Sequence, residues 1–140
     1  MLAERSKILV IDDEEDFCEF VKWSLEKTGR FDVLVSTDGP SGIALAQTEA
    51  PELILLDIKM PQMNGAEVAD QLLHSDDTRD IPIAFITGLL QKKEVSKRRV
   101  YIHGFPFITK PITKDELVQQ VDSVFEIIRT ERTFIESLEE

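Results

Sequence analysis

The chain has 140 residues, the size of one ordinary domain, with 16 basic and 27 acidic side chains and a formal net charge of -11. That balance argues against general attachment to nucleic acid or an anionic membrane, which relies on Lys and Arg displacing counterions from phosphates, while an apolar share of 42% is too high for a disordered acidic chain. Cys18 is the only cysteine, so no internal disulfide can form. The first apolar run, Ile8 to Ile11, ends at Asp12, too short for a signal-peptide core, and nowhere do eighteen apolar residues run together. A soluble, cytoplasmic protein is the expectation.

Ile8, Leu9, Val10 and Ile11 form a continuous rather than alternating apolar run, the pattern of a strand buried on both faces of a parallel sheet. Phe17, Phe20, Val21 and Leu25 then recur three and four apart, predicting a helix that stops before Gly29 as its C-terminal cap. Trp23 and the two phenylalanines read as core or helix-packing residues, and Cys18, one residue from the stripe, as inert. Val33 to Val35 predicts a second strand, Ser41 to Ala50 a second helix, Leu53 to Leu56 a third strand, and Ala66 to His74 a third helix begun by the turn Asn64-Gly65. Ile83 to Ile86 is a fourth strand, followed by a helix over roughly Gln91 to Tyr101 with a weak apolar face. Phe105 to Ile108 is a fifth run, which Pro106 restricts to an edge or a bulge because it lacks an N–H. A last helix runs from Lys114 onward. Strands alternating with helices in this way call for an α/β fold with a parallel sheet, right-handed crossovers and helices on both faces. In such sheets the ligand site lies beyond the carboxyl ends of the strands.

Reactive residues stand at those ends. The first run closes in Asp12-Asp13, the third in Asp57, the fourth in Thr87-Gly88 and the fifth in Thr109-Lys110-Pro111. Three carboxylates, a hydroxyl and an ammonium therefore converge at one edge. Two carboxylates about 5 Å apart repel by roughly 3 kcal/mol at an effective dielectric near 20, so the site calls for a cation. Hard oxygen ligands suit Mg²⁺, which keeps several waters and helps bind phosphate oxygens. A carboxylate beside such a metal can attack phosphorus, with Lys110 and Thr87 meeting the phosphoryl oxygens. Taken locally, Asp12 to Asp16 would serve equally as an acidic first helical turn, and Asp57 as a cap; the joint order of all these residues favours an aspartyl-phosphate site.

These residues resemble the receiver domain of two-component response regulators: the acidic pair Asp12-Asp13, the acceptor Asp57 within Leu55-Leu56-Asp57-Ile58-Lys59-Met60-Pro61, Thr87, and Lys110-Pro111. The resemblance covers residues 7 to about 125. It implies a flavodoxin-like (βα)₅ fold, with a five-stranded parallel sheet of order 2-1-3-4-5. It also implies transfer of a phosphoryl group to Asp57 from a sensor histidine kinase or a phosphotransfer protein. Carried over, Asp13 and Asp57 would ligate Mg²⁺ with the backbone carbonyl of Lys59, and Asp12 would act mainly through water. Lys110 would pair with Asp57 and then with the phosphate, and the peptide before Pro111 would be cis. Thr87 would move toward the phosphoryl group and let Phe107 rotate inward, a two-state switch biased by new charge. Many members have Tyr where Phe107 stands, so output contacts made by that hydroxyl have no counterpart.

The same resemblance makes the fourth helix, fifth strand and fifth helix the output face. There Lys97, Arg98 and Arg99 form a basic patch suited to an acidic partner or a second copy, or simply a solvated helix face. Residues 1–125 are expected to form the receiver and residues 126–140 a helical extension. Along the last helix Leu117, Val121, Val124, Ile128, Glu131, Ile135 and Leu138 fall on alternating four and three spacings, like a short coiled-coil seam that runs on into this extension. A homodimer through that helix or the output face, and a chain that is either a stand-alone receiver or the first part of a longer regulator, are the expectations. Competing readings are a Mg²⁺-dependent aspartyl-phosphate phosphatase, against which Lys59 stands where that family tends to place a second Asp, and a receiver-like interaction domain that takes no phosphate. His74 and His103 lack metal-ligand spacing.

Overall fold

The computed structural model describes residues 4–88, 101–102 and 105–139. Its elements run β1 (Ser6–Ile11), α1 (Glu15–Glu26), β2 (Phe31–Ser36), α2 (Gly39–Glu49), β3 (Leu53–Leu56), α3 (Gly65–Leu73), β4 (Ile83–Thr87), β5 (Tyr101–Ile102), β6 (Phe105–Thr109) and α4 (Lys114–Glu139). Strands order as β2-β1-β3-β4-β6-β5. The first five in that order are parallel and correspond to the five predicted strands in the order 2-1-3-4-5.

One difference from the sequence reading lies at the far edge. Tyr101, placed at the end of a helix, instead begins the two-residue strand β5, antiparallel to β6 with Tyr101 opposite Pro106. Residues 91–100, the rest of that helix, lie outside the described residues, as does His103. Pro106 is tolerated because the ladder between β4 and β6 starts one residue later, at Phe85 opposite Phe107.

Continuous apolar runs become strands here because both faces are covered. Ile8, Val10, Leu53, Leu55, Ala84, Ile86 and Ile108 face α1 and α4, while Leu9, Ile11, Ile54, Leu56, Ile83, Phe85 and Phe107 face α2 and α3. The split follows the two-residue period of a strand. Burying each such Leu or Ile stabilises by roughly 1.5–3 kcal/mol.

On α1 the buried stripe is Cys18, Val21 and Leu25, with Phe17 and Phe20 packed at its margins. Trp23 is not a core residue: it is 52% exposed, on the far side of the helix from Val21, and the ammonium groups of Lys27 and Lys114 lie 4.6 and 5.4 Å from its ring. Gly29 adopts a φ of 78° and closes the helix end, donating its N–H to the Glu26 carbonyl.

α4 is one unbroken helix of 26 residues, crossing position 125 without a break. Leu117, Val121 and Val124 belong to the domain core and Ile128 packs at its rim. Only the later part of the predicted seam, from Glu131 through Ile135 and Leu138, projects into solvent together with Phe134. Among the described residues no helix is long and apolar enough to cross a membrane. A chain ending at Thr130 should keep its urea midpoint, because the residues removed are exposed. Leu117→Ala should lose about 2–5 kcal/mol. Urea titrations followed by circular dichroism measure both.

Candidate functional site

Parallel registry carries the acidic residues to one edge. Ile11 is opposite Leu56, and the hydrogen bonding continues one residue further: Asp57 donates its N–H to the Ile11 carbonyl at 2.9 Å, and Asp12 to the Ser36 carbonyl at 3.0 Å. The Asp12 and Asp57 side chains are thereby fixed side by side, buried at 0% and 4% exposure, with Asp13 exposed beside them. One carboxylate oxygen from each of the three lies within 4.8 Å of the others.

The backbone after Asp57 is held from below by α3. Asn64 and Glu67 form a reciprocal capping box, and the Gly65 N–H donates to the Ile58 carbonyl at 2.8 Å. A Cβ on Gly65 would overlap the Asp57 carbonyl oxygen and crowd Ile58 Cα. Asn64-Gly65 is therefore more than a turn: glycine permits the close approach that sets the direction of Asp57.

Lys110 enters from β6. Its peptide to Pro111 is cis, as the resemblance implied, and its N–H donates to the Thr87 carbonyl at 2.9 Å. The ammonium lies 2.7 Å from Asp12 Oδ2, 3.1 Å from Glu14 Oε1 and 4.0 Å from Asp57 Oδ2, and 4.3 Å from the centre of the Phe17 ring. Burial alone would lower the Lys110 pKa, yet the Asp12 and Glu14 carboxylates and the charge of Asp57 hold it above its ordinary value.

The carboxylates shift upward. Burial raises the Asp57 pKa to about 6, the Asp12 charge adding and Lys110 opposing. Asp12 is also raised, chiefly by burial, against the pull of Lys110 and the Glu14 N–H. That N–H is held at 2.9 Å by Asp12 Oδ1, whereas buried Oδ2 has no aligned hydrogen-bond donor among the described residues, its contact with Lys110 being an ion pair of poor direction. Among the described residues the Asp12, Asp13 and Asp57 cluster has one ammonium beside it, which Glu14 shares, so a divalent cation fits both the charge and the all-oxygen donor set.

Thr87 is buried at the end of β4, on the same face of the sheet as Phe85. Phe107 already points inward at 3% exposure, packed with the residues of α2 and α3. Lys59 is exposed next to the acceptor strand. Lys97, Arg98 and Arg99 lie outside the described residues. Cys18 sits beneath the site, donating to the Asp12 carbonyl at 3.2 Å, and burial beside Asp12 pushes its thiol up to about 12, which makes it inert. Sequence reasoning missed Glu14 and Phe17 as partners of Lys110. No local pattern signals a contact between residues 96 positions apart.

A parallel α/β sheet with an acidic cluster and a lysine at its carboxyl edge defines the class, and residues 8–122 match the model of the response regulator receiver domain. The chain belongs to that family, whose members are signalling domains of two-component systems. It is 34% identical over 131 residues to the DNA-binding dual master transcriptional regulator RpaA of a Synechocystis species, covering 90% of this chain and 51% of that protein. It is 32% identical over 121 residues to protein PilH of Pseudomonas aeruginosa, covering 85% of this chain and 97% of that one. The chain thus spans about half the length of RpaA and nearly all of PilH. The chemotaxis protein CheY4 of Vibrio cholerae shares its fold, with a TM-score of 0.73 at 22% identity over 86% of this chain and 99% of that one.

Gly65→Ala should displace the backbone at Asp57 and destabilise the domain by more than the roughly 1 kcal/mol expected of Asn64→Ala; urea unfolding of both variants compares them. The raised Asp57 pKa means that the folded chain binds a proton more tightly than the unfolded one. The associated stability is complete below the ordinary carboxylate pKa near 4 and is lost as pH climbs through about 6. Without metal, Asp57→Asn should therefore raise the melting temperature at pH 7.5 by several degrees, and by less at pH 4.5. In the wild type Mg²⁺ should stabilise at pH 7.5 far more than at pH 4.5. Thermal melts in chelator and in Mg²⁺ check these signs.

Proposed function

We propose that this receiver accepts a phosphoryl group on Asp57 from the phosphohistidine of a sensor histidine kinase or phosphotransfer protein, in a Mg²⁺-dependent reaction. The observation that carries the reading is the buried Asp57 carboxylate, set in a three-carboxylate cluster with the Lys110 ammonium 4.0 Å away. A nucleophile in this setting needs little more than positioning and charge compensation to take a phosphoryl group.

Asp57 presents one carboxylate oxygen to phosphorus as the bond from phosphorus to the donor imidazole breaks, the imidazole leaving with the electron pair. Asp13, Asp57 and the Lys59 backbone carbonyl would hold Mg²⁺, with Asp12 acting through water; when bound, the ion neutralises the phosphoryl oxygens. Lys110 and the Thr87 hydroxyl meet those oxygens, and Phe107 stays in the inward position it already occupies. Hydrolysis of the acyl phosphate by water resets the domain. A groove of about 490 Å³ beside Lys110, lined by Phe17, Phe20, Pro111 and Ile112, offers the donor an apolar footing next to the acceptor.

Incubation with Mg²⁺ and acetyl phosphate, followed by intact mass measurement, tests the reading. One added phosphoryl group is expected in the wild type and none in Asp57→Asn or in chelator. A wild-type chain that stays unmodified would instead be a receiver-like interaction domain.

A further inference from the structure

We propose that Glu14 and the ring of Phe17 are positioning residues that park the Lys110 ammonium away from Asp57 until a phosphoryl group draws it across. The inference rests on the phosphoacceptor reading above and concerns how that site is set before it reacts.

Glu14 occupies the N-cap position of α1, where Ser, Thr, Asp or Asn would ordinarily bond an amide of the first turn. Its side chain makes no capping bond. The carboxylate reaches instead across the mouth of the site to Lys110 at 3.1 Å, while its own N–H is tied at 2.9 Å to Asp12 Oδ1. One turn along α1, Phe17 offers its ring face to the same ammonium at 4.3 Å. Lys110, only 14% exposed, is thus engaged by Asp12, Glu14 and Phe17. Asp57 Oδ2, at 4.0 Å, lies outside hydrogen-bonding distance.

A charge-assisted bond to a phosphoryl oxygen requires about 2.7–2.9 Å. The ammonium must therefore move toward Asp57. Of its two close carboxylates, Asp12 is buried beside Asp57, whereas Glu14 is 66% exposed on the outward side. The movement keeps the Asp12 contact and gives up Glu14. An exposed partner is screened by water and holds weakly, so Glu14 biases the position of Lys110 without locking it, an effect of about two- to fivefold on an equilibrium or rate.

Two measurements decide this. In metal-free protein, nuclear magnetic resonance of the Lys110 ammonium should show slow proton exchange in the wild type and severalfold faster exchange in Glu14→Gln and Phe17→Leu. With acetyl phosphate and Mg²⁺, Glu14→Gln should gain its phosphoryl group about two- to fivefold faster, with Mg²⁺ affinity unchanged within twofold. Glu14→Ser serves as the folding control: it restores a capping side chain, so it should melt higher than Glu14→Gln while reacting equally fast. Unchanged ammonium exchange would overturn the inference whatever the phosphorylation result. So would an unaltered rate in a wild type that does react, or a tenfold loss of Mg²⁺ affinity in Glu14→Gln, which would assign Glu14 to the metal. A wild type that never gains phosphate contradicts the phosphoacceptor reading separately, and the exchange measurement still decides the role of Glu14.

Discussion

The repulsion between Asp12 and Asp57 is the interaction on which the rest of the molecule depends. Two carboxylates at 0% and 4% exposure cannot be placed side by side without a rigid frame. The frame is the parallel ladder, whose hydrogen bonds continue past Ile11 and Leu56 to the amides of the two aspartates themselves. Because the backbone is committed there, the side chains cannot separate. Their charge has to be met by Lys110, by a proton, or by a cation. Burial is the first cause of the raised Asp57 and Asp12 pKa values, and for Asp57 the neighbouring Asp12 charge adds to it while Lys110 opposes.

The two cores serve this purpose differently. The face covered by α1 and α4 packs through Cys18, Val21, Leu117 and Val121, and it anchors the helix whose N-cap is Glu14. The opposite face, under α2 and α3, carries Phe85 and Phe107 below Thr87. The strand ends are joined to both layers by two routes: Lys110 and Glu14 lead to α1, and Thr87 lies on the face that carries Phe85 and Phe107. Sheet registry makes these routes short, since Thr87 is opposite Thr109, the residue before Lys110.

Much of this was legible in the sequence because it rests on period and order. Continuous apolar runs at Ile8, Leu53 and Ile83 identify strands covered on both faces, and polar residues directly after such runs mark a common edge. Contacts set by three-dimensional approach were not legible. Gly65 looks like half of an ordinary turn, because the carbonyl it must clear belongs to Asp57, eight positions back and on another element. Glu14 looks like one more acid in an acidic first turn; only the path of β6 reveals its cation. Trp23 failed for a different reason: aromatic character suggests burial, but its angular position on α1 points away from Val21 and Leu25, and two lysines stand near its exposed ring.

The C-terminal helix shows how one periodic pattern can serve two environments. Spacing alone makes Leu117, Val121, Val124, Ile128, Ile135 and Leu138 a single seam, yet the first three are core residues of the sheet and the last two are solvent-exposed. A seven-residue repeat drifts around a straight helix by only about 20° per heptad, so a stripe chosen to cover the sheet runs on in nearly the same direction once the sheet ends. The apolar residues beyond Ile128 need not have a second origin as a coiled coil to fall in register. Their exposure, rather than their spacing, is what sets them apart. Glu131 stands at the boundary between the buried and the exposed parts, so any surface that covered Ile135 and Leu138 would meet a carboxylate at its domain-side edge, which favours a polar or cationic contact there over a purely apolar one.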